Sequence, residues 1–514
     1  MKKSIPNSSV LLTTLGLVAM QNVAADKKVV NKTKPNILFI AVDDLKPLIR
    51  AYGDTIAITP GMDKLAKEGI TFKNCYVQQA VSGPTRASIM TGMRPDKTKV
   101  WDLDTDFRQV NPNAVSIQQH FIKNGYESVG IGKIYHEASI GAGHDAPSWT
   151  TPYIKITTKQ YTLAPGDEFP SIECADVPDN AYKDGIVAEE SIKLLQKLKS
   201  GNKPFMLSIG FAKPHLPFVA PKKYWDLYKR EQFKVAPFQQ KAANSPQLAY
   251  HKAEEIKHYT DIPKFDNYSE NELDHLSNEK QLELIHGYYA ATSYMDAQLQ
   301  KVLNELDRLG LSKNTIVVFW GDHGWHLGDH GLWCKHSDFE QATHACFLMR
   351  VNGMKKDIKP ITQCEFVDIF PTLCDLANIP TPSYLDGKSL VPAIKNPKAE
   401  IREYALSQYP RGPKMGYSIR TKRFRYTSWI DNKYSAEKPF SEAKEFASEL
   451  YDYQNDPLET VSVIGDKKYA KDEAYMKQLF KQAMEREHKE YVEYAKLANF
   501  QTPIKKPELN WLRK

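Results

Sequence analysis

The sequence lacks the features that mark several common classes of protein. Its 514 residues are 41% hydrophobic and 25% charged, values near those of folded soluble proteins, which excludes a disordered, collagen-like or coiled-coil chain. No block of five or more like charges occurs, and the net charge of +7 is spread along the chain. We therefore expect no nucleic-acid partner, whereas a polyanionic substrate is compatible with this charge.

Cysteine is also scarce. The six cysteines form no CxxC pair, which disfavours structural zinc, and they are too few for a disulfide scaffold. We expect scattered core thiols, with one or two disulfide bridges left open as an alternative, at Cys75, Cys174, Cys334, Cys346, Cys364 and Cys374.

Long hydrophobic runs are missing as well. No segment reaches the ~18 continuous apolar residues of a membrane-spanning helix, so we expect no stable membrane insertion. A shorter apolar run, residues 10–20, follows Lys2 and Lys3 and precedes small residues at 23–25. This pattern predicts a secretory signal over residues 1–25 and a bacterial protein that is exported to the periplasm or secreted.

Four apolar segments share one pattern, because each is typical of a buried strand and is followed by charged or histidine side chains. Helical patterns separate them, and this alternation predicts an α/β fold with a parallel sheet covered on both faces. Ligands bind such sheets outside the carboxyl ends of the strands, so the polar groups should meet at one edge. The predicted strands are 36–42, 128–131, 205–211 and 315–320, and the predicted helices are 115–124, 185–199 and 279–309.

The chain changes character in two places. Residues 221–278 show little periodicity, and we interpret them as a long insertion over the sheet edge. From residue 396 the pattern becomes that of a small sheet, with a hairpin over 416–429 and a final helix over 468–497. We predict a catalytic domain over residues 26–395 and a smaller C-terminal α+β domain over residues 396–514.

One short segment, residues 82–92, carries the clearest signal. It reads Ser-Gly-Pro-Thr-Arg-Ala-Ser-Ile-Met-Thr-Gly, which predicts that Ser82 lies just before a helix whose first turn contains Pro84. Ser82 is thereby presented to the positive end of the helix. A lone serine in this place is more often only an N-cap, so this segment by itself leaves the role of Ser82 open.

Several ordered motifs resemble those of the type I sulfatases. The signature of that family is Cys or Ser, any residue, Pro, any residue, Arg, then a short helix ending in Thr-Gly, and Ser82, Pro84 and Arg86 match it. Further matching segments are 36–44, 132–133, 213–215, 321–324, 335 with 339–343, and 449–452 with 455–457. Within the family the chain looks most like the iduronate-2-sulfatase branch, because of the motifs at residues 78–81, 94–96, 136 and 342–344.

The resemblance implies a fold and a modified nucleophile. The fold is alkaline-phosphatase-like, with a large, doubly wound, mainly parallel mixed sheet between helices and a smaller C-terminal antiparallel sheet with a helix. Ser82 is implied to be oxidised to formylglycine by a maturase that accepts serine. One hydroxyl of the hydrated aldehyde takes the sulfuryl group, and the other then loses its proton and expels sulfate. An unmodified serine would instead leave a stable sulfate ester.

The resemblance also implies one metal ion. Asp43, Asp44, Asp322 and His323 match the metal cluster of the family, and the modified Ser82 completes the set. Three carboxylates favour a hard divalent cation, and calcium suits such an irregular oxygen cage better than zinc. A histidine nitrogen is a poor calcium ligand, so His323 fits this set less well than the three aspartates.

Matching positions imply the remaining roles. Arg86 would hold the formylglycine hydrate, and Lys133 and Lys335 would grip the sulfate oxygens. His136 would accept the diol proton, and His215 would protonate the leaving sugar oxygen. Trp325 is a candidate for stacking on a sugar ring.

We expect a sulfatase that removes sulfate from a carbohydrate, such as a glycosaminoglycan uronate 2-O-sulfate or an algal polysaccharide fragment. Two alternatives stay open. The first is a phosphomonoesterase or phosphodiesterase of the same superfamily, although the sequence shows no second strand-end cluster for the second metal that such enzymes need. The second is a non-catalytic glycan-binding protein in which Ser82 remains serine.

Overall fold

The computed structural model describes residues 34–140, 143–164, 168–251, 255–263, 276–431 and 434–501. The predicted signal, residues 1–25, lies outside the described residues, as do two parts of the predicted insertion. The strands are β1 (Asn36–Val42), β2 (Ile70–Thr71), β3 (Cys75–Tyr76), β4 (Glu127–Gly132), β5 (Ile172–Ala175), β6 (Phe205–Phe211), β7 (Phe218–Pro221), β8 (Thr315–Gly321), β9 (His326–Leu327), β10 (Trp333–Cys334), β11 (Phe347–Arg350), β12 (Cys364–Glu365), β13 (Ala405–Arg411), β14 (Lys414–Arg420), β15 (Phe424–Asp431) and β16 (Glu445–Asp452).

The helices vary from one turn to eight or more turns. None of those in the described residues combines the length and apolar character needed to cross a membrane. The helices are α1 (Pro60–Glu68), α2 (Ser82–Thr91), α3 (Pro95–Thr98), α4 (Phe107–Val110), α5 (Ile117–Lys123), α6 (Lys183–Lys199), α7 (Lys222–Trp225), α8 (Asn278–Arg308), α9 (Glu340–Thr343), α10 (Ile369–Ala377), α11 (Val391–Lys395) and α12 (Ala470–Ala495).

The main sheet has six strands in the order β2-β11-β8-β1-β6-β4. Strands β1, β4, β6 and β8 run parallel, whereas β11 is antiparallel to both β8 and β2. Alternate side chains of β1 enter two separate apolar cores. Ile37 and Phe39 pack with residues of α2, α5 and α10, while Leu38 and Ile40 pack with residues of α1, α6 and α8. The sheet is thus covered on both faces, and the predicted fold class is confirmed.

The predicted elements around this sheet are confirmed. Strands β1 and β6 have the predicted bounds, and β4 and β8 extend by one residue at one or both ends. Helices α5, α6 and α8 lie within two residues of prediction. Serine N-caps explain where α5 and α8 begin. The Ser116 side chain accepts a hydrogen bond from the Gln119 N–H, and the Ser277 side chain accepts one from the Lys280 N–H.

The C-terminal region forms a second, antiparallel sheet in the order β13-β14-β15-β16. The predicted hairpin is β14 and β15, and the predicted final helix is α12, which packs Phe480 against Tyr426. This sheet is hydrogen-bonded to the segment before α2, because the Gln408 N–H donates to the Gln78 carbonyl at 2.8 Å. The domain boundary at residue 395 stays a prediction.

All six cysteines lie in described residues and carry free thiols. Five of them are buried and only Cys174 is exposed. The five buried cysteines are the core thiols that were expected, whereas Cys174 lies at the surface, and the alternative of one or two bridges is not found.

Candidate active site

The candidate site begins where two neighbouring strands end. Strands β1 and β8 are parallel, with Val42 opposite Gly321, so the residues that follow them lie side by side. The Asp44 N–H donates to Asp322 Oδ1 at 2.9 Å across this edge. Asp44 has a φ of 57°, a left-handed conformation that aspartate tolerates better than most residues and that is common at functional sites.

Ser82 points into this edge from the next helix. It is the first residue of α2 rather than the residue before it, and Val81 takes the N-cap position. The Ser82 hydroxyl lies 2.7 Å from Asp322 Oδ2 and 3.2 Å from Asp43 Oδ1. The side chain therefore caps no helix, and it joins the carboxylates of two different strands.

Arg86 lies one helical turn after Ser82 and holds the same two carboxylates. Its Nε donates to Asp322 Oδ2 and its Nη2 to Asp43 Oδ1, both at 2.9 Å. Its Nη1 donates to the carbonyls of Lys133 and Ile134. Burial alone would lower the pKa of Arg86, but Asp322 and Asp43 raise it. The guanidinium is a fixed, buried positive charge beside Ser82.

The donor set suits a hard cation. The carboxylates of Asp44 and Asp322 and a ring nitrogen of His323 lie within 4.8 Å of one another. His323 Nε2 is 3.3 Å from Asp44 Oδ1 and 3.5 Å from Ser82 Oγ. Burial raises the pKa of Asp44 well above its usual value, and the neighbouring carboxylate of Asp43 adds to the shift. Crowded, desolvated carboxylates of this kind are stabilised by a divalent ion.

Two lysines approach the carboxylates from the other side. Lys133, after β4, forms an ion pair with Asp43. Lys335, after β10, lies 3.1 Å from Asp44 Oδ2. Burial alone would raise the pKa of Asp43, but Lys133, His215 and Arg86 together hold it well below its usual value.

A buried carboxylate holds the loop that carries His215. Asp184, in the first turn of α6, accepts from the N–H groups of Ala212 and Lys213 at 2.8 and 2.9 Å. His215 Nδ1 lies 2.6 Å from the Leu216 carbonyl, so its Nε2 faces the carboxylates, 3.7 Å from Asp44 Oδ2. Burial, helped by Lys133, lowers the pKa of His215 to about 4.

A cavity of about 580 Å³ opens beside Asp43 and includes His136 and His215 in its walls. Burial and the charge of Lys133 lower the pKa of His136 to about 3, and its Nδ1 has no hydrogen-bond partner among the described residues. The outer wall, formed by Lys155, Lys159, Lys183 and Glu137, carries a net positive charge, although Glu137 pairs with Lys155 and Lys183. All the residues predicted to act at the site, other than Trp325, therefore border this edge of the sheet.

Trp325 is a correction. Its side chain is fully buried in an apolar core with Phe218 and Tyr288, and Lys335 Nζ lies 4.9 Å from its ring centroid. The ring faces the core and supports Lys335, so it offers no surface on which a sugar could stack.

Glu255 is the acidic residue that sequence reasoning missed. It lies in the predicted insertion, and its carboxylate is 3.2 Å from His215 Nε2 and 2.5 Å from Lys335 Nζ. With Asp44 and His215 it forms a second group of possible metal ligands, although Glu255 lies in the insertion and follows no strand of the main sheet. No local signal marked it, because residues 221–278 carry several acidic side chains in no regular pattern.

Taken together, the fold and the site define a hydrolase of anionic esters with alkaline-phosphatase-like architecture. The site combines a buried hydroxyl, a fixed guanidinium and a carboxylate cluster at strand ends. Enzymes that transfer a sulfuryl or phosphoryl group use groups of these kinds as nucleophile, anion-binding group and metal ligands. A doubly wound sheet brings them to one edge.

Comparison with known proteins identifies the family. The Sulfatase family model matches residues 35–379, and a model described as N-sulphoglucosamine sulphohydrolase, C-terminal, matches residues 328–486. Iduronate 2-sulfatase of Homo sapiens is 32% identical over 84% of this chain and 91% of its own length. The chain belongs to the sulfatase family and is a sulfuric ester hydrolase, as its motifs predicted.

Solved structures agree on the fold. A protein in complex with its substrate D-glucosamine-2-N,6-O-disulfate has a TM-score of 0.68 at 22% identity, covering 89% of this chain and 98% of its own. The phosphonate monoester hydrolase of Agrobacterium radiobacter has a TM-score of 0.70 at 20% identity, covering 88% and 96%. Both likenesses support the same overall architecture for this chain.

Proposed function

We propose that the protein removes sulfate from a sulfated carbohydrate, with Ser82 converted to formylglycine and one calcium ion bound beside it. The observation that carries the proposal is the position of the Ser82 hydroxyl, within 3.2 Å of both Asp43 and Asp322 and one turn before Arg86. A nucleophile there lies among groups that hold a cation and stabilise an anion.

Asp43, Asp44, Asp322 and His323 would hold the cation, with residue 82 completing the set. When bound, the ion would stabilise negative charge on the attacking and transferred oxygens. Arg86 keeps its place whether or not substrate is present, because its ion pairs are buried and its remaining hydrogen bonds go to backbone carbonyls.

Four side chains of the cavity would act on the ester itself. Lys133 and Lys335 can turn from Asp43 and Asp44 towards sulfate oxygens, since both ammonium groups already lie at this edge. His136 is neutral at neutral pH and can accept a proton from the nucleophile. His215 would donate from Nε2 to the leaving oxygen, and an anionic ester beside it favours the protonated ring.

The outer wall of the cavity supports the substrate class that we propose. Lys155, Lys159 and Lys183 would attract a second acidic group, such as a uronate carboxylate or another sulfate. The human relative is named for iduronate 2-sulfate esters. We therefore propose a sulfated oligosaccharide or polysaccharide as substrate, a serine-oxidising maturase as partner, and export to the periplasm or beyond.

A phosphoester hydrolase is the second candidate, and one observation favours it. Asp44, His215 and Glu255 form a second ligand group, as a two-metal enzyme would require. Lys335, however, contacts both Asp44 and Glu255. Its ammonium therefore already neutralises the carboxylates that a second metal ion would need. We favour the sulfatase for this reason.

The test is a desulfation screen of defined sulfated oligosaccharides, with protein matured by a serine-accepting maturase and supplied with calcium. Release of free sulfate from at least one glycan is the expected result. Hydrolysis of phosphate esters with no sulfate release from any glycan or aryl sulfate would overturn the proposal in favour of the second candidate.

A further inference from the structure

Glu255 lies where an enzyme for anionic esters would not be expected to place a carboxylate. Its two oxygens contact two different groups of the site, Oε1 at 3.2 Å from His215 Nε2 and Oε2 at 2.5 Å from Lys335 Nζ. Lys335 is almost fully buried and also contacts Asp44. Glu255 therefore forms an ion pair with Lys335, whose ammonium group is proposed to hold the oxygens of the transferred sulfate.

The carboxylate of Glu255 is charged at neutral pH. Its Oε2 lies 2.5 Å from the Lys335 ammonium, and an ion pair at this distance stabilises the ionised form of the carboxylate. One fixed negative charge thus offsets one of the positive charges offered by Arg86, Lys133 and Lys335.

The amount of positive charge in the site decides which ester fits it. A sulfate monoester carries one negative charge, whereas a phosphate monoester carries nearly two at pH 8 because its second pKa is about 6. Each additional positive charge near the transferred group favours the doubly charged ester more than the singly charged one. A site that carries one charge less therefore favours sulfate.

We infer that Glu255 is a specificity-determining residue, which lowers the positive charge around Lys335 so that the site selects singly charged sulfate esters over doubly charged phosphate monoesters. The inference rests on the proposed function and adds a residue from the insertion to it. The inference also assigns a role to the group formed by Asp44, His215 and Glu255. The carboxylates of Asp44 and Glu255 bind the Lys335 ammonium instead of a second divalent ion.

The variant Glu255→Gln tests the inference, because it keeps the size of the side chain and removes only its charge. Three p-nitrophenyl substrates separate charge from chemistry: the sulfate ester, a singly charged phenylphosphonate ester and the doubly charged phosphate ester. At pH 8 the ratio of kcat/KM for phosphate to that for sulfate should rise about tenfold in the variant. The ratio for the phosphonate should change little, since its charge equals that of sulfate.

Two further variants control for side effects. Glu255→Asp keeps the charge and should keep the wild-type ratio, even if its overall rate falls. Glu190→Gln removes a carboxylate from α6 outside this cavity, where it pairs with Lys193 rather than Lys335. It should also leave the ratio unchanged.

The outcomes separate this inference from the proposed function. An unchanged phosphate-to-sulfate ratio in Glu255→Gln, with wild-type desulfation intact, would overturn the role of Glu255 alone. Loss of a bound metal ion from Glu255→Gln, measured by elemental analysis, would overturn it too, because Glu255 would then be a metal ligand. A wild-type protein that hydrolyses only phosphate esters would refute the proposed function itself.

Discussion

The two sides of the active site are built from different kinds of chain. Asp43, Asp322 and Arg86 belong to strand ends and a helix and are at most 1% exposed. On the opposite side, His215, Glu255 and Lys155 lie in irregular segments. Their side chains are 27%, 20% and 53% exposed, respectively. The buried side can hold charges rigidly for a common reaction, whereas the exposed side can vary with the substrate. Substitutions should therefore have their largest effects on the buried side.

The nucleophile gives the largest expected effect. Ser82→Ala should lower turnover at least about 10³-fold, because no other group can take the sulfuryl group. Its control is Ser88→Ala in the same helix, since the Ser88 hydroxyl is buried without a hydrogen-bond partner among the described residues. Initial rates of sulfate release measure both variants. Near-wild-type turnover by Ser82→Ala would contradict the assignment of Ser82 as the nucleophile on the buried side.

The carboxylate cluster comes next. Asp322→Asn should lose at least about 10²-fold in rate, because it weakens both the cation site and the partner of Arg86. Calcium should stabilise the wild-type protein by about 2.7 kcal/mol at one hundred times its Kd, and it should stabilise the variant less. Thermal unfolding with and without calcium provides this readout independently of activity. Equal stabilisation of both proteins would refute the assigned ligand.

His215 should have an effect that depends on the leaving group. His215→Ala should slow desulfation of a sugar about 10² to 10⁴-fold, but that of an aryl sulfate much less, because an activated phenolate departs without a proton. His136→Ala should impair both substrates alike, since accepting the proton of the nucleophile does not depend on the leaving alcohol. Steady-state kinetics on both substrates decide this. Equal losses for His215→Ala would require the two roles to be exchanged or shared.

The basic wall should give the smallest effect. Lys183→Ala should raise KM for a sulfated oligosaccharide about threefold to tenfold, in line with the value of a partly screened charge, and leave a small aryl sulfate unaffected. Lys193→Ala is the matched control, because it lies in the same helix, 67% exposed, and pairs only with Glu190 among the described residues. An equal rise in KM for the aryl sulfate would mean that Lys183 supports the site in general and recognises no distant group.

The same division explains what could be predicted from the sequence. Strand β1 is a continuous apolar run ending in Asp43 and Asp44, so the rules for parallel sheets predicted where these carboxylates would lie. Glu255 has no such context, since its position depends on the path of an irregular insertion. Trp325 was misjudged because an aromatic residue near a site motif resembles a binding residue, and only the packing of Phe218 and Tyr288 shows that it is core.

The state of Ser82 tests the central claim most directly. Tryptic digestion of the protein from its native host should release the peptide 74–86, which ends at Arg86 and contains Ser82. Mass spectrometry of that peptide should show the loss of two hydrogens, as expected for conversion of serine to formylglycine. A fully active preparation in which residue 82 is entirely unmodified serine would contradict the account.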